Sequence, residues 1–183
     1  ALPISQRAGT GVTVLAGLRA ALQNSAVRFA AGCTVCGGET AGIAEAARLA
    51  AESDLVVLVL GGSSSRFAGE AAFDTNGAAI AGAGLQMDCG EGVDTSDLAL
   101  PGAQAALAEA VFAAGKPVVT VIISGRPHAV QAVAEKSSAL LWAFYPGPWG
   151  GQAVAEVLTG AAEPSGCLPV SIPRATGQLP VYY

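Results

Sequence analysis

The chain has 183 residues, 52% of them hydrophobic and 13% charged, enough apolar mass to fill one core and too few charges to stay disordered. A net charge of -5, with Arg7, Arg19, Arg28, Arg48, Arg66, Arg126 and Arg174 scattered singly, leaves no basic stripe for a phosphate backbone and excludes nucleic acid as an expected partner. No apolar run approaches the roughly 20 residues of a membrane helix, and the start, Ala1 to Arg7, lacks a charged head followed by a hydrophobic signal core. A soluble chain without a membrane partner is expected, with its compartment, secretion included, left open.

Val12, Leu15, Leu18 and Leu22 recur at helical spacing and predict a helix ending near Asn24, after which Val27-Arg28-Phe29 alternates as a short strand. Residues 39–52 are alanine-rich, with Ile43, Ala46, Ala47 and Leu49 on one helical face. Asp54 then introduces the unbroken apolar run 55–60, the pattern of a strand buried on both faces. Residues 101–114 read as a helix opened by Pro-Gly and stopped by Gly115, followed by a second apolar strand over 117–123. A short helix over 126–136, a third strand over 139–144 and a helix over 152–158 complete the alternation. The tail from Pro164 is rich in proline and turn residues, with 170–172 and 179–181 as edge-strand candidates.

Buried strands alternating with helices imply right-handed crossovers and an α/β fold: a doubly wound, mostly parallel sheet with helices on both faces, in one domain over residues 1–183. Four or more parallel strands are expected, with those over 55–60, 118–123 and 140–144 adjacent. Ligands meet such sheets at the carboxyl ends of the strands, which here are the loops 61–100, 124–127 and 145–151. The first is the longest, and a segment of that length without periodicity is usually functional.

Within it, residues 87–104 set Asp88, Glu91, Asp94 and Asp97 among glycines. Gly90 and Gly92 leave the backbone at Glu91 free and open to a ligand, which makes Glu91 a natural general acid. The alternative is a solvated acidic loop in which Asp97 caps the following helix. The turn Gly61-Gly62-Ser63-Ser64-Ser65-Arg66 belongs to the same candidate site, with Arg66 and Asp94 as candidate substrate-binding residues and Glu70 as a second candidate acid.

Other readings stay open on the residues alone. Cys33 and Cys36 form a CxxC that could be a redox pair, a local disulfide or two buried thiols. With Cys89, Cys167 and the single His128 they lack the second close pair a zinc site needs, and neither metal nor cofactor is expected. The Gly61 to Ser65 turn could hold a phosphate on its N–H groups in a stand-alone flavodoxin-like binding module. Ser64, His128 and an aspartate could form a serine hydrolase, although GxSxG is missing. Glu109, Glu135 and Glu156 fall on helical faces turned to solvent.

Taken in order, these segments resemble the C-terminal α/β sandwich domain of glycoside hydrolase family 3, the β-glucosidases and β-xylosidases. The resemblance rests on residues 54–64, on Cys89-Gly90-Glu91-Gly92-Val93-Asp94 running into Leu98-Ala99-Leu100-Pro101-Gly102-Ala103-Gln104, on Gly115-Lys116-Pro117-Val118-Val119 and on Ser124-Gly125-Arg126-Pro127. It continues through Tyr145-Pro146-Gly147, Ala155-Glu156-Val157-Leu158-Thr159-Gly160, residues 164–174 and Gly177-Gln178-Leu179-Pro180-Val181-Tyr182-Tyr183. It implies a retaining β-glycosidase that hydrolyses terminal non-reducing β-linked sugars, with an aspartate nucleophile on an N-terminal (β/α)8 barrel and a glutamate acid/base on this domain. Glu91 takes that role by position, and Glu70 stands in reserve. The implied partners are a carbohydrate substrate and the barrel of the same protein, so this chain is a piece of a longer one and inactive by itself. Two places depart from the family pattern: Asp94-Thr95 stands where Asp-Arg is usual, and Pro148-Trp149 follows Tyr-Pro-Gly where a glutamate is frequent. Neither Trp142 nor Trp149 is preceded by the aspartate of the nucleophile motif.

Overall fold

The computed structural model describes residues 11–64, 75, 87–90 and 93–182. The elements run α1 (Val14–Ala21), α2 (Ile43–Ala51), β1 (Val56–Gly61), α3 (Gln104–Phe112), β2 (Val118–Ile123), α4 (Gln131–Lys136), β3 (Ala139–Trp142) and α5 (Gly150–Thr159), with a 3₁₀ turn over Thr176–Gln178. The strands form one parallel sheet in the order β1-β2-β3, in register from Val56 opposite Val118 to Gly61 opposite Ile123.

Period-two alternation sends successive side chains to opposite faces, and both faces are covered. Leu58, Leu60, Val118 and Ile122 pack with Ala50 of α2, Leu107, Ala108 and Val111 of α3 and Val133 of α4. Val121 and Ile123, with Val57 and Val59, pack on the other face against Val14 of α1 and Val154 and Leu158 of α5. The doubly wound parallel architecture read from the sequence is the architecture observed.

Several boundaries differ for identifiable reasons. Among the described residues the sheet has three strands, because residues 27–29 join no ladder. A cavity of about 460 Å³, lined by residues 27–35 and by β1, lies along the outer edge of that strand. Helix α3 starts at Gln104 rather than at Pro101, since Gly102 takes φ +62 in the preceding turn. Helix α4 starts at Gln131 rather than at Arg126, because the residue before a proline is held out of helical geometry. β3 ends at Trp142, and Phe144 two residues on adopts φ +50. Neither 170–172 nor 179–181 forms a strand: Pro169, Pro173 and Pro180 remove ladder donors there. Among the described residues no helix is long and apolar enough to cross a membrane.

Candidate active site

Three chain segments meet at the carboxyl ends of β1 and β2. The first is the end of β1. The N–H of Gly61 donates to Gln104 Oε1 at 2.8 Å, and Gln104 Nε2 donates to the Gly61 carbonyl at 2.6 Å and to the Val35 carbonyl at 2.8 Å. A primary amide carries donor and acceptor side by side, so buried Gln104 pairs with this last strand residue as a neighbouring strand would. The next N–H, of Gly62, donates to the Ile123 carbonyl at 3.0 Å.

The second segment is the acidic loop, which returns to the same point. Asp88 N–H donates to the Ser63 carbonyl at 2.9 Å, and Ser63 N–H donates to Asp88 Oδ1 at 2.5 Å. The carboxylate lies so close to Gly62 that a Cβ there would collide with it. Only 8% of the Asp88 side chain is exposed, and its Oδ2 stands 3.0 Å from Nε2 of His128, itself 2% exposed, with the ring turned off the line of a good hydrogen bond. Burial pushes the Asp88 pKa up, but nearby His128 and the Ser63 N–H outweigh it and hold the carboxyl below the usual aspartate value.

The third segment is the turn after β2, residues 124–128. Ser124 Oγ accepts from Arg126 N–H and donates to the Arg126 carbonyl, both at 3.1 Å. From that locked backbone Arg126 Nη2 donates to the Asp88 carbonyl at 3.0 Å and makes a longer contact of 3.5 Å with the Val93 carbonyl. Nδ1 of His128 lies 3.3 Å from the Leu98 carbonyl, which also accepts from Ala129 N–H at 2.7 Å. Cys89 Sγ sits 2.9 Å from the Tyr145 hydroxyl, whose pKa burial and then this hydrogen bond push up to about 12.

Gly90 and Val93 form an antiparallel bridge, closed by Val93 N–H on the Gly90 carbonyl at 3.1 Å. Gly90 has φ +126, a conformation other residues rarely adopt, as its expected backbone freedom requires. Glu91, Arg66 and Glu70 lie outside the described residues. Asp94 is exposed and its Oδ1 accepts from Thr95 N–H at 3.0 Å.

The reading of four solvated acids with a helix cap at Asp97 does not hold. Asp88 is buried, and Asp97 Oδ1 accepts from Ala99 N–H at 3.0 Å and from the Thr176 hydroxyl at 2.7 Å, which ties the tail to the loop and leaves α3 uncapped by it. The phosphate-binding reading of the Gly61 to Ser65 turn loses its first three donors: the N–H groups of Gly61, Gly62 and Ser63 are all taken, the last by the carboxylate of Asp88. A hydrolase built on Ser64 is overturned because both nitrogens of His128 face other partners. No disulfide joins Cys33 and Cys36. Burial raises both pKa values, with the charge of Glu39 adding at Cys33, and those of Asp88 and Cys89 helping to bring Cys36 to about 11; thiols so protonated make a poor redox pair. Glu109, Glu135 and Glu156 are on the surface as expected, bonded to Lys136, Gln131 and Gln152.

Sequence reasoning missed Gln104, Arg126 and Tyr145, and weighed His128 only as a partner of Ser64 or as a metal ligand. One signal was present: Arg126 and His128 flank a proline immediately after an apolar strand, where polar side chains must turn toward the strand-end loops.

In sequence and in overall fold the chain is similar to known proteins. A β-xylosidase from Formosa agariphila is 37% identical over 173 residues, 94% of this chain and 21% of that protein. A periplasmic β-glucosidase from Salmonella typhimurium is 38% identical over 141 residues, 77% of this chain and 16% of that protein. The solved β-glucosidase of Erythrobacter marinus superposes with a TM-score of 0.76 at 36% identity, over 98% of this chain and 25% of that one. A β-glucosidase from Listeria innocua, solved with isofagomine, gives 0.75 at 32% identity over 95% of this chain and 21% of that one. The chain thus spans about a fifth of the length of such relatives. The family model that matches residues 4–183 is the glycosyl hydrolase family 3 C-terminal domain, and the chain belongs to that family.

Proposed function

We propose that this chain is the sandwich domain of a retaining β-glycosidase acting on terminal β-glucosides or β-xylosides, and that Glu91 is its general acid/base. The nucleophile is a carboxylate on an N-terminal (β/α)8 barrel elsewhere in the full-length protein. The observation that carries this reading is the anchoring of both flanks of Glu91: Asp88 and Cys89 on one side and Val93 on the other are tied to strand-end loops. Fixed flanks on either side of a glutamate set between two glycines in sequence suit a group that must meet a substrate held by another domain.

In double displacement the acid and the nucleophile stand about 5 Å apart. Glu91 gives its proton to the glycosidic oxygen as the nucleophile attacks the anomeric carbon, and its carboxylate then takes a proton from the water that releases the sugar. Arg66 and Asp94 are the substrate contacts of this proposal, and Glu70 is the second candidate acid. A secreted setting, supported by the periplasmic Salmonella relative, completes it.

The test is Glu91→Ala in the full-length protein. General acid catalysis is worth about 10² to 10⁴ in rate, and that loss falls on poor leaving groups, because an activated one departs without a proton. Azide restores turnover and yields a glycosyl azide, since a small anion needs no general base. Equal losses on all substrates, with no azide product, overturn the assignment and send the same test to Glu70.

A further inference from the structure

We propose that the turn over residues 124–128 is a clasp that positions the acid/base loop, with Arg126 and His128 as positioning residues that never touch substrate. The inference deepens the reading above and rests on Glu91 as the acid/base.

Each prong of the clasp joins two points that lie apart in the loop. Arg126 Nη2 gathers the carbonyls of Asp88 and Val93, on either side of Glu91 in sequence. His128 gathers the Asp88 carboxylate and the Leu98 carbonyl, the first and last anchored positions of the loop. Asp88 is common to both prongs, and its Oδ1 carries the loop onto β1 through Ser63. Both prongs leave one short turn whose backbone Ser124 locks, so the loop inherits its place from β1 and β2 together.

The residue types fit the task. A guanidinium presents several N–H donors in a fixed plane and can hold two carbonyls at a set separation, which a lysine ammonium cannot do with the same directionality. An imidazole faces an acceptor at each nitrogen here, the Asp88 carboxylate at 3.0 Å and the Leu98 carbonyl at 3.3 Å.

Placement of this kind is read in catalysis. A displacement of about 1 Å far from the reacting atoms can cost about 10² in rate. A misplaced proton donor loses that factor where the leaving oxygen needs protonation.

The experiment uses Arg126→Lys and His128→Phe in the full-length protein, with Glu91→Gln beside them. For each, kcat/KM is measured on aryl β-glycosides of graded leaving-group ability, and hydrogen exchange is followed over residues 88–98. The clasp predicts a loss of about 10²-fold on the poorest leaving groups and less than about threefold on dinitrophenyl glycosides, with faster exchange confined to that loop. Partial unfolding lowers the active fraction equally for all substrates, so the ratio between substrates is unaffected by it. Should His128→Phe fail to fold, Arg126→Lys decides alone. Uniform losses, or unchanged exchange over 88–98, overturn the clasp when Glu91→Gln keeps its leaving-group dependence. If Glu91→Gln shows no such dependence, the acid/base reading falls and the clasp falls with it.

Discussion

Gln104 offers the sharpest test of how the site is built. Replacement by leucine preserves the volume nearly enough to avoid a cavity, but removes both partners of the Gly61 peptide and the donor to the Val35 carbonyl. Gln104 is 4% exposed, so its amide bonds are made away from bulk solvent. A buried polar group left unpaired costs about 1–3 kcal/mol; three groups, relieved in part by local relaxation, give a loss of about 3–5 kcal/mol for Gln104→Leu. Against a typical domain stability of about 5–15 kcal/mol this is a severe change. Urea unfolding of the protein, followed by tryptophan fluorescence, should show a lower midpoint with little change in slope. Gln104→Glu should be at least as damaging, since a carboxylate keeps an acceptor for Gly61 N–H but repels both carbonyls. A loss below about 1 kcal/mol for the leucine variant would refute the reasoning, because it would mean that the end of β1 is satisfied without the side chain.

Two further outcomes follow from ionisable groups near the loop. The folded-state pKa of Asp88 is depressed, so its contribution to stability is present above the unfolded value of about 3.9 and disappears as pH falls through the lower folded value; Asp88→Asn should cost stability at pH 7 and progressively less below about pH 4, whereas a difference independent of pH would contradict the buried pairing. Cys36, brought to about 11, carries roughly one thiolate per thousand at pH 8, some two orders of magnitude less than an ordinary thiol near 8.5; iodoacetamide followed by peptide mass analysis should label exposed Cys167 far ahead of it, and equal labelling would contradict its burial.

What the sequence disclosed, and what it withheld, divides along a physical line. β1 and β2 were legible because an unbroken run such as Val118 to Ile123 makes sense only with both faces covered, and α2, α3 and α4 supply one cover while α1 and α5 supply the other. Residues 27–29 have a strand's alternation but pair with no edge, and a ladder is a property of two segments that no single segment can announce. The start of α3 was misplaced because Pro-Gly opens a turn as readily as a helix, and Gly102 with φ +62 chose the turn. The role of Asp88 escaped for a different reason. In sequence it is one of four loop acids, and only Arg126, 38 residues away, and His128 make it a buried hub while Asp94 stays in solvent.

That hub bears on how a doubly wound sheet comes to present an acid rather than bind an anion. In such sheets the first turn after a central strand commonly offers its N–H groups to a phosphate. Here Gly61 and Gly62 spend theirs on Gln104 and Ile123, and Ser63 spends its own on the carboxylate of Asp88. Asp88 thus acts as an internal anion filling the place a ligand would take, and its backbone continues directly into Cys89 and Gly90. The interaction that closes the turn to an outside anion is the same one that fixes the start of the loop. Removing the Asp88 side chain would therefore do two things at once, taking from the Ser63 N–H its carboxylate acceptor and from the loop its first anchor. A site organised this way is directed outward, toward whatever the loop meets, and not into the sheet.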